Sequence, residues 1–262
     1  MTINILTLFP KMFESVFNDS IIKRAQNKEI IKINTYNFRD WATDKHKTVD
    51  DKPFGGGKGM VLKVDVIDQA LHDIKIRNSN IETRNKSQIS NYKKSKLVSD
   101  FGFRASDFQN ELPHIVLLTP QGKKYDQNIA RRLSKKQKLI LVCGHYEGFD
   151  ERVRQLVDEE ISIGNYILTG GEIPAMVLVD SISRLIPGVL GKDESSQEES
   201  FSMGEEFGKF EYPQYTRPAS YKPISKNNKG KLSVPKMLLS GNHAEIRNWR
   251  IKQSIDKSKL KR

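Results

Sequence analysis

The chain has 262 residues, 37% of them hydrophobic, with 44 Lys or Arg against 32 Asp or Glu and a net charge of +12. That length suits one large domain or two modest ones, the apolar fraction suffices for a core, and the positive balance points to a polyanionic partner. A single cysteine, Cys143, excludes an intramolecular disulfide. No apolar run reaches the length of a membrane span, and the opening MTINILTLFP lacks the basic start of a signal peptide. The chain therefore reads as a cytoplasmic protein without a membrane segment.

Taken in order, Asn4 to Phe9 alternates toward apolar residues and predicts a first strand, ended by Pro10. Phe13 to Ala25 predicts a helix, with Phe13, Val16, Phe17, Ile21 and Ala25 on one side, and Ile30 to Tyr36 predicts a second strand. This β–α–β opening argues for an α/β fold with parallel pairing. Phe38 to Gly59 is then a long polar segment carrying Arg39, Lys45, His46, Lys47, Lys52 and Lys58, two aromatic residues able to stack (Trp41 and Phe54), and Gly55, Gly56, Gly57 and Gly59. A loop of that length and content favours a ligand-binding role, although it lacks the Gly-Lys-Ser/Thr ending of a phosphate-binding P-loop.

Val61 to Ile76 predicts a helix on the spacing of Val64, Ile67, Leu71 and Ile74, and Arg77 to Asn110 is polar and without period, a surface insertion. His114 to Thr119 predicts a buried strand, Pro120 to Gly122 a turn, Gln127 to Leu133 a short helix, and Lys138 to Cys143 another strand. Ile161 to Leu168 reads as a strand. After the turn Thr169–Gly171, a helix follows on Ile173, Met176, Val177, Val179, Ile182 and Leu185, stopped by Pro187 and Gly188. Three loops, Thr119–Gly122, Gly144–Gly148 and Thr169–Gly171, thus leave the ends of predicted strands on one side, where open α/β sheets bind ligands. None carries the G-x-G-x-x-G fingerprint of a dinucleotide site. The sequence also has no Cys/His spacing for zinc and no serine nucleophile elbow.

Charge divides the remainder. Asp193 to Glu211 holds seven acids against one lysine, whereas Lys222 to Arg262 holds 12 Lys or Arg against two acids, most of the chain's whole excess. An acidic linker, 192–213, thus leads to a basic module, 214–262. In that module Asn242 is placed to cap a helix with Glu245 at the third position, and Asp256 to Arg262 reads as a frayed tail.

Seven blocks in order, PFGGGKGM, LLTPQGKK, LVCGHYEGFDERV, SIGNYILTGGEIPAM, SRLIPGVLG, YTRP and LLSGNHAEIRNWR, resemble the bacterial tRNA (guanine-N1)-methyltransferases of the knotted SPOUT superfamily. The resemblance covers nearly the whole chain apart from the insertion and some linker residues. It implies an α/β fold whose parallel sheet carries a deep trefoil knot over residues 1–191, followed by a small helical tRNA-binding domain. It also implies a homodimer, with S-adenosyl-L-methionine as methyl donor and tRNA as substrate. Carried over by motif, the donor would lie against Leu118, Pro120, Gly144, Tyr146, Glu147, Ile163, Gly164, Asn165, Tyr166, Ile167, Leu168, Gly170, Gly171 and Pro174. RNA contacts would come from His46, Asp50, Gly57, Lys58, Gly59, Met60, Arg217, Asn242, His243 and Arg247. Whether Mg2+ assists stays open, and no residue is assigned to a metal.

The implied reaction methylates N1 of the guanine just 3′ of the anticodon. N1 carries a proton at neutral pH, so a carboxylate must take it, and charge then spreads toward O6, where a cation lowers the barrier. Arg184, in SRLIPG, matches the family's arginine near O6; a structural pair with Asp180 is the rival reading. The base departs from the family pattern. An E-D-S-F segment is usual, whereas this chain has Glu198-Glu199-Ser200-Phe201, which puts Glu199 at the aspartate's place with about 1.5 Å more reach. That departure keeps open a non-catalytic RNA-binding protein of the same fold, and methylation of a ribose hydroxyl, which related knotted enzymes perform, is a third reading.

Overall fold

The central strands form where Ile, Leu and Val run together, as in HIVLL and KLILVC, and the helices that pack on them carry such residues at three- and four-residue spacing. The computed structural model describes residues 1–75, 112–191, 199–201, 209–224 and 230–260; the insertion expected over 77–110 and Glu198 lie outside them. The chain divides into two compact units, Met1–Gly191 and Lys192–Arg262.

In the first unit, β1 (Thr2–Thr7) leads through a 3-10 turn (Pro10–Phe13) into α1 (Glu14–Phe17) and α2 (Ser20–Asn27), then β2 (Lys32–Asn37). A second 3-10 turn (Phe38–Trp41) opens the polar segment, which contains the two-residue strand β3 (Asp50–Asp51) paired with β4 (Val61–Leu62), and α3 follows through residues 64–75. Then come β5 (His114–Lys124), α4 (Gln127–Ser134), β6 (Lys138–Cys143), a 3-10 turn (Glu151–Leu156), β7 (Glu159–Ser162) and α5 (Glu172–Ser183). The five longer strands form one sheet in the order β2-β1-β6-β5-β7, parallel throughout.

Whereas the edge strands β2 and β7 are more polar and less buried, the central strands β1, β6 and the first half of β5 are buried on both faces and read as largely apolar runs. Alternation sorts them: Leu139, Leu141, Cys143, Val116 and Leu118 join the layer containing Ile129, Leu133, Leu178 and Ile182 from α4 and α5. Ile140, Val142, Ile115 and Leu117 face Phe38, Val66, Ile67, Leu71 and Ile74 on the other side. An α/β architecture with a parallel central sheet is what the β–α–β opening predicted.

Several boundaries differ from the sequence reading. The helix expected over Phe13 to Ala25 is broken at Asn18 and Asp19, because the Asp19 carboxylate accepts the Ser20 N–H and starts a new helix. Val61 and Leu62, expected to be helical, pair instead with Asp51 and Asp50, which leaves Leu62 buried. Pro120 to Gly122 is not a turn but a bulge inside β5. Both Leu118 and Lys123 align with Ile161 of β7, and the four residues between them loop outward. The strand expected over Ile161 to Leu168 is β7 and ends at Ser162, whose Oγ holds both the N–H and the C=O of Gly164 in a turn.

The second unit, taken by itself, has a short hairpin of β8 (Ser220–Tyr221) and β9 (Leu232–Ser233), a 3-10 turn (Lys236–Leu239) and α6 (His243–Lys259). Asn242 caps α6, its Oδ1 accepting the Glu245 N–H at 3.3 Å. The helix runs on through Lys259, so Asp256 to Lys259 is not frayed. The strap 209–215 lies along it: Ser254 Oγ donates to the Phe210 carbonyl at 2.5 Å, Lys257 Nζ donates to the Glu211 carbonyl at 3.1 Å, and the Arg250 guanidinium sits 4.7 Å above the Tyr212 ring. No described helix is long and apolar enough to cross a membrane.

Candidate active site

The bulge of β5 and the carboxyl ends of β6 and β7 open into one cleft of about 670 Å³, within the range that holds a cofactor-sized molecule. Of the residues expected at the donor, Leu118, Pro120, Gly144, Tyr146, Glu147, Ile163, Gly164, Tyr166, Ile167, Leu168, Gly170, Gly171 and Pro174 all line it, whereas Asn165 does not. Residues from three separate stretches of sequence therefore meet around a single space.

The loops are locked together through their backbones. β6 ends at Cys143, and the next carbonyl, Gly144, accepts the Gly171 N–H at 2.8 Å while His145 and Gly170 form an antiparallel bridge. A Cβ on Gly171 would fall 2.7 Å from Cys143 Cα and Gly144 N, so only glycine permits this approach of two main chains. A Cβ on Gly144 would fall 2.7 Å from the Phe149 ring, another wall of the cleft. The residues fit a flat heterocycle with polar edges. Apolar side chains (Leu118, Ile163, Leu168 and Pro174) supply the walls, and glycine backbone lets polar main-chain groups come close.

Three features in or beside the cleft have no counterpart in the sequence. Glu172, the first residue of α5, is buried, and Thr7 Oγ1 donates to its Oε1 at 2.7 Å while accepting the Phe9 N–H at 2.9 Å. A carboxylate there also suits the positive end of the helix. Close by, His145 Nδ1 is buried without a hydrogen-bond partner among the described residues. The Arg154 guanidinium binds Glu160 of β7, Gln121 of the β5 bulge, and Glu151 at 2.8 Å, joining three cleft-forming segments. Its hydrogen bonds to Glu160 and then Glu151 hold its pKa above the ordinary arginine value. An arginine in a polar acidic stretch gives no sign in sequence of which carboxylates it will meet. Nearby, Asp150 caps the turn Glu151–Leu156, and hydrogen bonds from the Arg152 side chain draw its carboxyl down to about 2. Cys143 is no nucleophile, since complete burial, aided by the Glu172 charge, pushes its thiol well up.

Arg184 is half-buried at the C-cap of α5, where its N–H donates to the Asp180 carbonyl at 3.2 Å. Glu199 belongs to the second unit and is half-buried; its neighbour Ser200 accepts the Glu211 N–H at 3.0 Å through Oγ.

The residues expected at RNA also divide between the units. In the first, His46, Gly57, Lys58 and Gly59 are exposed, and Asp50 and Met60 are half-buried. This glycine-rich loop is stitched to the cleft wall, since Glu147 N–H donates to Met60 C=O at 3.1 Å, Leu62 N–H to Gly148 C=O at 3.0 Å, and Asp150 N–H to Leu62 C=O at 3.0 Å. In the second unit, Arg217, Asn242, His243 and Arg247 are exposed. Trp41, expected to be free to stack, is not. Only 9% of it is exposed, and its Nε1 donates to Asp73 at 2.9 Å. Among the described residues no three His, Cys, Asp or Glu side chains gather to hold a metal ion.

Comparison with known proteins adds to this geometry. A family model described as tRNA (Guanine-1)-methyltransferase TrmD matches residues 1–98 and 100–262. Among similar proteins, the tRNA (guanine-N(1)-)-methyltransferase of Syntrophomonas wolfei is 48% identical over 262 residues, all of this chain and 88% of the relative. That of Staphylococcus epidermidis is 46% identical over 263 residues, covering 100% of this chain and 89% of the relative. That of Carboxydothermus hydrogenoformans is 49% identical over 256 residues, covering 97% of this chain and 83% of the relative. With a family match over almost every residue and relatives at this identity along nearly their full lengths, the chain belongs to the tRNA (guanine-1)-methyltransferase family.

Proposed function

We propose that this chain methylates N1 of the guanine immediately 3′ of the tRNA anticodon, with S-adenosyl-L-methionine as donor. The observation that carries the reading is the convergence of the β5 bulge with the glycine-containing segments Gly144–Gly148 and Thr169–Gly171 on one cleft, in a chain whose family is defined by this chemistry. Gly144, Gly170 and Gly171 bring main-chain groups to the donor, Leu118, Ile163, Leu168 and Pro174 enclose its apolar surface, and Tyr146 and Glu147 stand at the exposed lip. When bound, the donor supplies a methyl group on a sulfonium, which needs no metal to be electrophilic.

The chain's own residues then have two tasks. Glu199 takes the proton from guanine N1, making the nitrogen nucleophilic, and Arg184 offsets the negative charge that develops on O6. Positioning of N1 is the remaining contribution, and in this reading the RNA is held by the loop 46–60 and by the basic module 214–262. We assign the donor site to residues 1–191 and treat 192–213 as the linker that carries the base. We also read the connection through Gly144–Gly171 as the family's trefoil knot. In this reading the Gly171–Gly144 hydrogen bond joins the segment entering α5 to the end of β6.

A homodimer completes the proposal. Phe9, Met12 and Val16 beside the 3-10 turn Pro10–Phe13, and Ile173 and Val177 on the adjoining α5, are each 41–46% exposed. Large apolar side chains gathered in this way are what a second copy would cover. The test of the whole reading is single-turnover transfer of a labelled methyl group to tRNA transcripts with guanine or adenine at the target position. The label is expected in 1-methylguanine from the first transcript only. Label on a ribose, or none, would overturn it.

A further inference from the structure

We propose that Phe54 is a stacking platform for an unpaired base of the RNA substrate. The inference rests on the RNA-methyltransferase reading and extends it to a residue that reading does not use. Phe54 is 100% exposed, unlike Trp41, which is turned into the core. A single exposed apolar side chain is ordinary on a protein surface; what sets Phe54 apart is that its whole ring is displayed at the tip of a built turn among exposed lysines.

The turn is built. Gly56 N–H donates to Pro53 C=O at 3.2 Å, closing a β-turn with Phe54 and Gly55 at its centre, and Gly55 has φ +84°. A positive φ at the second central residue is the requirement of a type II turn, which glycine meets without strain. Phe54 is therefore held at the tip rather than packed back. Six residues further on, Met60 is hydrogen-bonded to Glu147 at the cleft lip, so the ring stands within about 20 Å of it along the chain.

The surroundings favour RNA over an apolar partner. Exposed Lys52 and Lys58 flank the turn, and Lys45 and Lys47 project from the preceding loop. Asp44 fixes that loop by accepting the Thr48 N–H and Oγ1–H, both at 2.8 Å. Ammonium groups around an aromatic face match a polyphosphate backbone that presents an unstacked base, and stacking of this kind tolerates any base because each has a π-face.

The experiment uses the full chain with Phe54→Ala, Phe54→Leu and Phe54→Tyr. tRNA affinity is read by filter binding and donor affinity by calorimetry, and 2-aminopurine is placed singly along the anticodon loop to report stacking. Expected are a loss of tRNA affinity of about tenfold in Phe54→Ala, a similar loss in Phe54→Leu, near-complete retention in Phe54→Tyr, and unchanged donor affinity. At one loop position the protein should quench 2-aminopurine in the wild type and in Phe54→Tyr but not in Phe54→Ala. If Phe54→Leu binds like the wild type, the contact is apolar rather than stacking and the proposal falls. It also falls if Phe54→Ala binds RNA normally or changes the oligomeric state. A wild-type protein that neither binds nor methylates tRNA would overturn the functional reading, and this inference with it.

Discussion

At the scale of single residues, the proposed chemistry would rest on one carboxylate, Glu199, one cation, Arg184, and a few close backbone approaches. If Glu199 accepts the N1 proton, Glu199→Gln keeps both ligands bound and slows single-turnover transfer by about 10²–10⁴-fold. Arg184→Met slows the same step without weakening the donor, and a wild-type rate in Glu199→Gln would return the segment to the role of a linker. The loops proposed to hold the donor offer a separate test that leaves Glu199 untouched. Gly144→Ala puts a methyl group 2.7 Å from the Phe149 ring, so the ring must move out of the cleft wall. Calorimetric donor affinity is expected to drop at least tenfold while thermal stability changes little. Gly171→Val meets backbone on both sides and is expected to cost stability as well as affinity.

At the scale of elements, the edge of the sheet is pinned by charge. Glu159, the first residue of β7, takes hydrogen bonds from His114 Nε2 at 2.7 Å and Arg132 at 2.6 Å, tying the starts of β5 and β7 to α4. Burial pushes the Glu159 carboxyl up, but the hydrogen bonds from Arg132 and His114 and their charges outweigh it, and its pKa lies below the ordinary 4.5. A depressed carboxylate contributes stability that is fully present above its unfolded-state value and is lost as pH falls through the folded one. Thermal melts should therefore show a loss of stability below pH 4.5 that is shallower in Glu159→Gln. Parallel melting curves for the two proteins across that range would remove the pair from the account.

At the scale of the whole molecule, the proposal assigns the basic surface to RNA and the exposed apolar face to a second copy. Lys222 to Arg262 holds most of the positive excess, so tRNA binding should weaken steeply with salt. Arg247→Glu with Lys252→Glu, in the full chain, is expected to reduce affinity and to flatten the log–log salt slope by about one for each phosphate that is no longer neutralised. Donor affinity is expected to hold. An unaltered slope would show that α6 is not where the backbone is gripped. The exposed face of Phe9, Met12, Val16, Ile173 and Val177 makes a second prediction. Ile173→Asp with Val177→Lys should convert a dimer to a monomer in analytical ultracentrifugation, and a wild type that sediments as a monomer would end the dimer proposal.

The sequence by itself determined the parallel α/β core, because β5, β6 and the apolar face of α5 are runs whose burial is dictated by composition and period. It also determined the glycines that punctuate those runs, Gly144 after β6 and Gly170–Gly171 before α5. It could not show where Ile161 to Leu168 leaves the sheet, because an apolar stretch looks the same whether it continues as strand or turns along a cleft. Ser162 and its local hydrogen bonds with Gly164 make that choice. Nor could it separate Trp41 from Phe54. Both are aromatic residues in one polar segment, but only tertiary structure brings Asp73 to the Trp41 indole and leaves the Phe54 ring on an exposed turn. The Arg154 cluster with Glu160, Gln121 and Glu151 and the buried Thr7–Glu172 hydrogen bond belong to the same class. A polar side chain advertises that it needs a partner, but the partner is chosen by which strand ends the fold brings within hydrogen-bond reach.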